Sequence, residues 1–242
     1  MMKVEQEELI EKTIAEIVTE DFKKAAVFKK YGIDFCCGGK KSLKSVCEKK
    51  RLNLNEIIEE LAQVDTRTES EIDQYNKWRL DHLVEHIVSK HHTYVSEQIP
   101  IINAFITKVS RVHGEAHPET KTIAILFEQV AQELEHHMMK EERILFPYIM
   151  SLAQGKNVEE MPFGSIQNPI TMMEKEHEGA GLLFEKIGEL TNNFTPPAYA
   201  CNTFKASYHL LKEFENDLHV HIHLENNILF PKAIQLEHQI LG

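Results

Sequence analysis

Two copies of one eleven-residue pattern, His-x-x-x-Glu-x-x-Ile-Leu-Phe-Pro, hold the side chains best suited to chemistry in this sequence. The first copy runs from His137 through Glu141 to Ile144-Leu145-Phe146-Pro147. The second begins 84 residues later and runs from His221 through Glu225 to Ile228-Leu229-Phe230-Pro231. A lone histidine precedes each copy, His92 and His177, and these two lie 85 residues apart. A duplicated set of two imidazoles and one carboxylate on helical sequence is what a two-metal site in the core of a helix bundle requires. Two metals with two imidazoles each, bridged by both Glu, use five positions of a six-coordinate ion once a bridging oxo or hydroxo is counted, and one position stays open. Zinc favours four ligands, and magnesium and calcium favour oxygen. Mixed nitrogen and oxygen donors with open positions suit non-haem iron, with manganese second.

Helical periodicity places these residues. From about residue 78 the sequence predicts four long helices, over 79–112, 119–153, 169–191 and 199–239, joined by short loops marked by Gly114, Pro118, Gly155, Pro162, Gly164 and Pro196-Pro197. Pro169 falls near the start of the third, where proline is favoured. Pro100 is expected to kink the first. Short connections imply an up-down-up-down antiparallel bundle, and no segment alternates as a strand does. At 100° per residue each helix has one apolar stripe. His137 and Glu141 fall in the stripe of Ile123, Leu126, Val130, Leu134, Ile144 and Tyr148, and His136 points away. His221 and Glu225 fall in the stripe of Leu210, Phe214, Leu218, Ile228 and Leu229, with His219 and His223 on the other side. His177 lies within the stripe of Ile170, Met173, Ala180 and Phe184. His91 and His92 both flank the stripe of the first helix, and periodicity does not choose between them, whereas the repeat spacing favours His92. A carboxylate buried without a partner costs several kcal/mol or loses its charge. Two of them in apolar stripes, with no Lys or Arg on the same faces, need cations.

Ahead of the bundle, apolar periodicity predicts a helix over 5–18 and shorter ones over 22–30, 43–50 and 56–63, the last with Asn53 as a capping residue. The glycine-rich run Tyr31-Gly32-Ile33-Asp34-Phe35-Cys36-Cys37-Gly38-Gly39 lies among them. Residues 62–76 turn polar. The expected organisation is all-α: a small helical N-terminal domain over 1–64 with the Cys-Cys motif, a linker over 65–77, and a four-helix bundle over 78–242. The 242-residue chain carries 27 Lys+Arg against 38 Asp+Glu, a net charge of −11. That balance argues against nucleic-acid or anionic-membrane partners. The first eight residues hold acids where a signal peptide needs basic and then apolar ones, and no apolar run reaches membrane-spanning length. A cytoplasmic protein is expected. Its four cysteines then point to metal, redox or packing roles rather than disulfides.

Taken together, Tyr31 to Gly39, Glu97-Gln98-Ile99-Pro100, His137-Met138-Met139-Lys140-Glu141-Glu142 and His221 to Pro231 resemble the Repair of Iron Centers family, on a hemerythrin-like fold. The resemblance spans nearly the whole chain. It implies a di-iron protein of the cytoplasm, often dimeric, that helps restore iron–sulfur clusters damaged by oxidants and nitric oxide. The family's iron ligands carry over onto His92, His137, Glu141, His177, His221 and Glu225, with both Glu bridging two oxo- or hydroxo-bridged irons. His92 is again preferred, because its distance to the Gln-x-Pro triplet matches the family pattern.

Cys36 and Cys37 precede Lys40, Lys41 and Lys44, and nearby cations favour thiolate. A redox or iron-transfer role is the functional reading of the pair. Cys47 is read as structural, Cys201 as a packing residue, and Met138, Met139, Met172 and Met173 as core filler. Glu142 and Glu176 are either hydrogen-bond partners of the neighbouring ligands or surface carboxylates. The leading function is iron–sulfur cluster repair by iron supply or nitric oxide removal, with damaged iron–sulfur proteins as partners. The alternatives are a nitric oxide reductase and an oxygen- or nitric-oxide-binding sensor.

Overall fold

The computed structural model describes residues 8–64, 74–156 and 163–241. Among them every regular element is helical, and the only β-type pairing is an isolated antiparallel bridge between Thr13 and Ser42. The N-terminal unit contains α1 (Ile14–Glu20), a single tight turn at Phe22–Lys24 leading into α2 (Ala25–Lys30), α3 (Leu43–Lys50) and α4 (Leu54–Gln63). The helix expected over 5–18 is broken at Thr13. The Thr13 hydroxyl accepts from the Glu16 amide at 3.1 Å while the Glu16 carboxylate accepts from the Thr13 amide at 2.8 Å. This reciprocal cap starts α1 afresh. Asn53 caps α4 as expected, accepting from the Asn55 and Glu56 amides. The loop that carries Cys36 and Cys37 is tied to α1 through Ala15 N to Gly39 O at 2.9 Å. A side chain at Gly39 would meet the Phe35 carbonyl at 2.6 Å, so only glycine fits. Most of the expected linker, residues 65–73, lies outside the described residues.

Four long helices follow. The first joins α5 (Leu80–His86) to α6 (Thr93–His113). The second joins α7 (Glu119–Lys140) to α8 (Phe146–Ala153). The third is α9 (Gln167–Leu190), and the fourth joins α10 (Asn202–Leu224) to α11 (Phe230–Leu241). In each two-part helix the pieces are linked by one wide π-type turn, at Ile87–His92, Glu141–Leu145 and Glu225–Leu229. Such turns insert an extra residue without ending the helix and gather at functional sites. Here they fall on His92, Glu141 and Glu225. The first helix runs on through Pro100, which lies with Ser96 on its exposed face. Neighbouring helices are antiparallel. His92 meets Glu142 near one end of the first pair, and Phe127 meets Phe184 while His137 meets Glu176 in the second pair. Tyr94 faces Phe214 and His113 faces Phe204 between the first and last helices.

Two apolar clusters fill the bundle. One includes Ile102, Phe127, Phe184 and Phe214 and continues without a break into Ile14, Phe28, Leu43 and Ile57 of the N-terminal unit. The other holds Leu83, Phe146, Ile149, Ile170 and Phe230 at the opposite end. There the Glu237 carboxylate is buried and accepts from Tyr148 Oη, Ser165 Oγ and the Ile166 amide at 2.8, 2.8 and 2.9 Å, fixing the start of α9. No helix among the described residues is long and apolar enough to cross a membrane.

Candidate metal centre

A polar layer separates the two apolar clusters. His92, His137, His177 and His221 are at most 2% exposed, and Glu141 and Glu225 are fully buried. The i, i+4 spacing of each motif puts its imidazole and carboxylate on one helix face. His137 Nε2 lies 3.2 Å from Glu141 Oε2, and His221 Nε2 lies 3.1 Å from Glu225 Oε1. Across helices, His92 Nε2 lies 3.4 Å from Glu141 Oε2, and His177 Nε2 lies 3.1 Å from Glu225 Oε2. Ligating atoms within 4.8 Å of one another form two sets of four: His92, Glu141, His221 and Glu225, and His137, Glu141, His177 and Glu225. Both carboxylates belong to both sets, as bridging ligands of a metal pair would.

Three of the four rings are also held from behind. His92 Nδ1 donates to Glu142 at 2.7 Å and His137 Nδ1 to Glu176 at 2.9 Å. His177 Nδ1 faces Asn226 Oδ1 at 2.9 Å. The rings of Phe146 and Phe230, from the two Ile-Leu-Phe-Pro runs, stack on His92 and His177 at 5.6 and 6.2 Å. With Nδ1 carrying the proton, Nε2 is left as a lone pair. His137 Nε2 and His177 Nε2 lie 2.9 Å apart, a contact that needs either a proton on one of the two nitrogens or a cation between them. Both oxygens of Glu141 and Glu225 Oε2 are buried with no hydrogen-bond donor, although imidazole nitrogens surround them. These are acceptors converging on common points, which a cation satisfies directly and a metal-free core satisfies only by taking up protons.

Electrostatics give the same reading. Burial pushes His92 and His137 down, but the facing carboxylates outweigh it and lift both to about 10. Burial dominates at His221, which is lowered despite Glu225. Burial and mutual repulsion push the Glu141 and Glu225 carboxyls up, yet the imidazoles around them hold both below the ordinary carboxylate range. Without a cation the carboxylates therefore recruit protons onto His92 and His137, and metal binding must displace them. Four nitrogens and two carboxylates common to both sets form a donor set suited to iron.

His91 is also buried, but its Nδ1 goes to Asp217 at 2.9 Å and its ring stacks on His221 at 5.4 Å. His136 is exposed, as its helix face predicts. His223 is buried rather than solvated, because the N-terminal unit covers that face: Phe22 packs on it at 5.2 Å. Met138 and Met173 are core residues, whereas Met139 and Met172 are largely exposed. Cys47 is buried, and Cys201 is exposed at the start of α10 beside His113 rather than packed.

Cys36, buried, and Cys37, half-buried, lie where the N-terminal unit meets the bundle, with their sulfurs 3.8 Å apart. The Asp34 carboxylate accepts from the amides of Cys36, Cys37 and Gly38. Asp34, Cys36 and Cys37 form a third group of potential ligands. The lysines do not activate Cys36 as the sequence suggested. Lys40 pairs with Glu174 and Lys44 with Glu11. The bond to Cys37, burial and nearby Asp34 push the Cys36 thiol well above its ordinary value. Sequence reasoning did not single out Asn226 and Asn227, whose amides donate to the carbonyls of Cys36 and Phe35 at 3.1 Å each. The repeat held the signal for Asn226, which follows Glu225 as Glu142 follows Glu141.

Two family models match the chain: the ScdA_N domain of unknown function over residues 10–65, and the hemerythrin HHE cation binding domain over residues 83–233. Similar proteins include the iron-sulfur cluster repair protein YtfE of Citrobacter koseri, 42% identical over 87% of this chain and 90% of the relative. Its namesake in an Enterobacter species is 41% identical over 91% and 96%, and that of Musicola paradisiaca is 38% identical over 94% and 98%. The chain thus belongs to the iron-sulfur cluster repair protein family, built on a hemerythrin HHE cation binding domain.

Proposed function

We propose that this chain is a di-iron protein that restores iron–sulfur clusters damaged by oxidative and nitrosative stress, by supplying iron, by removing nitric oxide, or both. The observation that carries the reading is the buried pair of donor sets sharing Glu141 and Glu225, in a chain whose relatives are named for cluster repair. His92, Glu141, His221 and Glu225 would hold one iron, and His137, Glu141, His177 and Glu225 the other. Bound there, the irons supply redox-active Lewis-acid centres with exchangeable positions for nitric oxide or oxygen. The chain's own part is to present neutral Nε2 atoms, to take up protons on His92 and His137 when metal leaves, and to exclude bulk water with apolar layers on both sides. Cys36 and Cys37, at the junction of the N-terminal unit with the bundle, are assigned the transfer or redox step toward a damaged iron–sulfur protein. The reading includes the division into an N-terminal domain over 1–64 and a bundle over 78–242. It places the protein in the cytoplasm, where four unpaired thiols are stable.

The test is iron content followed by anaerobic reactivation of a nitric-oxide-inactivated cluster enzyme. Wild type should hold about two irons per chain and restore activity. His137→Ala and Glu225→Ala should lose iron and repair together. Repair by an iron-free variant would refute the reading.

A further inference from the structure

Asn226 touches both functional regions at once. It is 5% exposed, its Nδ2 lies 3.1 Å from the Cys36 carbonyl and its Oδ1 lies 2.9 Å from His177 Nδ1. A carbonyl only accepts, so the amide nitrogen must face Cys36 and the amide oxygen must face His177. The oxygen in turn requires the proton to sit on His177 Nδ1, which bares Nε2 toward Glu225 and His137. The backbone of the Cys-Cys loop therefore sets the tautomer and orientation of a ring in the bundle. The other rings are held differently. His92 and His137 donate to Glu142 and Glu176, carboxylates that accept in any orientation, and His221 Nδ1 is buried without a hydrogen-bond partner. The loop itself is stiff: Asp34 collects three of its amides, and Asn227 holds the Phe35 carbonyl. Displacing it moves the Cys36 carbonyl as part of one body.

Building on the di-iron reading, we propose that Asn226 is a positioning residue that makes retention of one metal, the one held by His137 and His177, depend on the docked Cys36–Cys37 loop. The metal held by His92 and His221 has no such link. The two irons are then unequal, and an event at the Cys-Cys loop, such as contact with a recipient protein or thiol modification, loosens one of them selectively.

The experiment follows transfer of iron from the loaded full-length protein to a ferrous chelator under anaerobic conditions. Removing a partner behind a metal-bound histidine typically weakens metal binding by about 10–100-fold. Asn226→Ala should therefore release one of the two irons about 10–100-fold faster than wild type, leaving the second rate unchanged. Asp34→Ala, which loosens the loop without touching the bundle, should speed the same single phase. Asn226→Asp supplies an acceptor for His177 that needs no help from Cys36. Relative to its own baseline, adding Asp34→Ala in that background should give no further acceleration. Should Asp34→Ala not accumulate as folded protein, alkylation of Cys37 in the wild-type and Asn226→Asp backgrounds replaces it. The inference is overturned if both irons accelerate together, if neither responds, or if loop disruption is as effective in the Asn226→Asp background as in wild type. A wild-type protein that binds no iron would instead overturn the di-iron reading and this inference with it.

Discussion

Phe146 and Phe230 lie within 22° and 5° of parallel to the imidazoles of His92 and His177. Glu142 and Asn226 bond the same rings at Nδ1. Each motif copy thus supplies a His and a Glu to the polar layer and also braces the lone histidine of its own half. The inward-facing residues were legible because 3.6-residue periodicity sorts a helix into faces and the repeat fixes which histidines correspond. Asn226 was not legible as functional, because its role depends on a carbonyl 190 residues away in sequence. The electrostatic surroundings of Cys36 were misread for a related reason: Lys40 and Lys44, near it in sequence, pair with Glu174 and Glu11, while Asp34 turns toward Cys36. A labelling order follows. Cys201 is exposed and Cys37 half-buried, whereas Cys36 and Cys47 are 4% and 2% exposed, with thiols pushed up by the Cys37 contact and burial for Cys36, and by burial for Cys47. Iodoacetamide at neutral pH should modify Cys201 and Cys37 in the native protein and reach Cys36 and Cys47 only after unfolding. Peptide mass mapping over a time course checks this, and Cys36 labelling as fast as Cys201 would contradict it.

At the scale of elements, the four long helices begin and end within a few residues of where periodicity, glycines and prolines put them. The wide turns were not foreseen, and they have a visible effect. A strict 100° wheel places Ile144 in the apolar stripe, yet Ile144 is 46% exposed and Leu145 is buried. The extra residue at Glu141–Leu145 rotates everything that follows it. Proline at position 147 fits such a turn: it has no amide for the carbonyl four residues back, and Phe146 instead donates to Glu141 at the fifth residue back. The far end of the bundle depends on Glu237, which satisfies Tyr148, Ser165 and the Ile166 amide together. Replacing it strands buried donors, and leaving one unpaired costs about 1–3 kcal/mol. Glu237→Ala should lower unfolding free energy by about 2–3 kcal/mol on that scale in urea denaturation. Glu237→Gln, which keeps acceptor oxygen, should cost less. Equal effects from the two would show that shape, not hydrogen bonding, governs the site.

At the scale of the whole molecule, the polar stretch after residue 62 suggested two units joined by a linker, and the packing between them could not be read from it. His219 and His223 look like solvated polar residues on the outer face of the last helix. Instead Phe35 packs on His219 at 5.6 Å and Phe22 on His223 at 5.2 Å. Lys29 reaches Glu215 and Asn216 at 2.8 Å each. The apolar cluster passes from Phe28 and Ile57 into Phe127 and Phe214 without interruption. A shared core ties the stability of both units together, so heating should melt them in one transition. Metal enters the same balance, because a ligand bound only by the folded state stabilises it in proportion to the logarithm of its concentration over its dissociation constant. At 1,000-fold excess this amounts to about 4 kcal/mol. For a chain of this length each kcal/mol moves the midpoint by about 2–4 °C. Calorimetry of iron-loaded protein should therefore give a single peak, and stripping the iron should lower that peak by roughly 10 °C without splitting it, on the same scaling. Two peaks in the loaded protein would mean that the N-terminal unit folds independently of the bundle. An unshifted midpoint after stripping would mean that the buried layer is satisfied without metal.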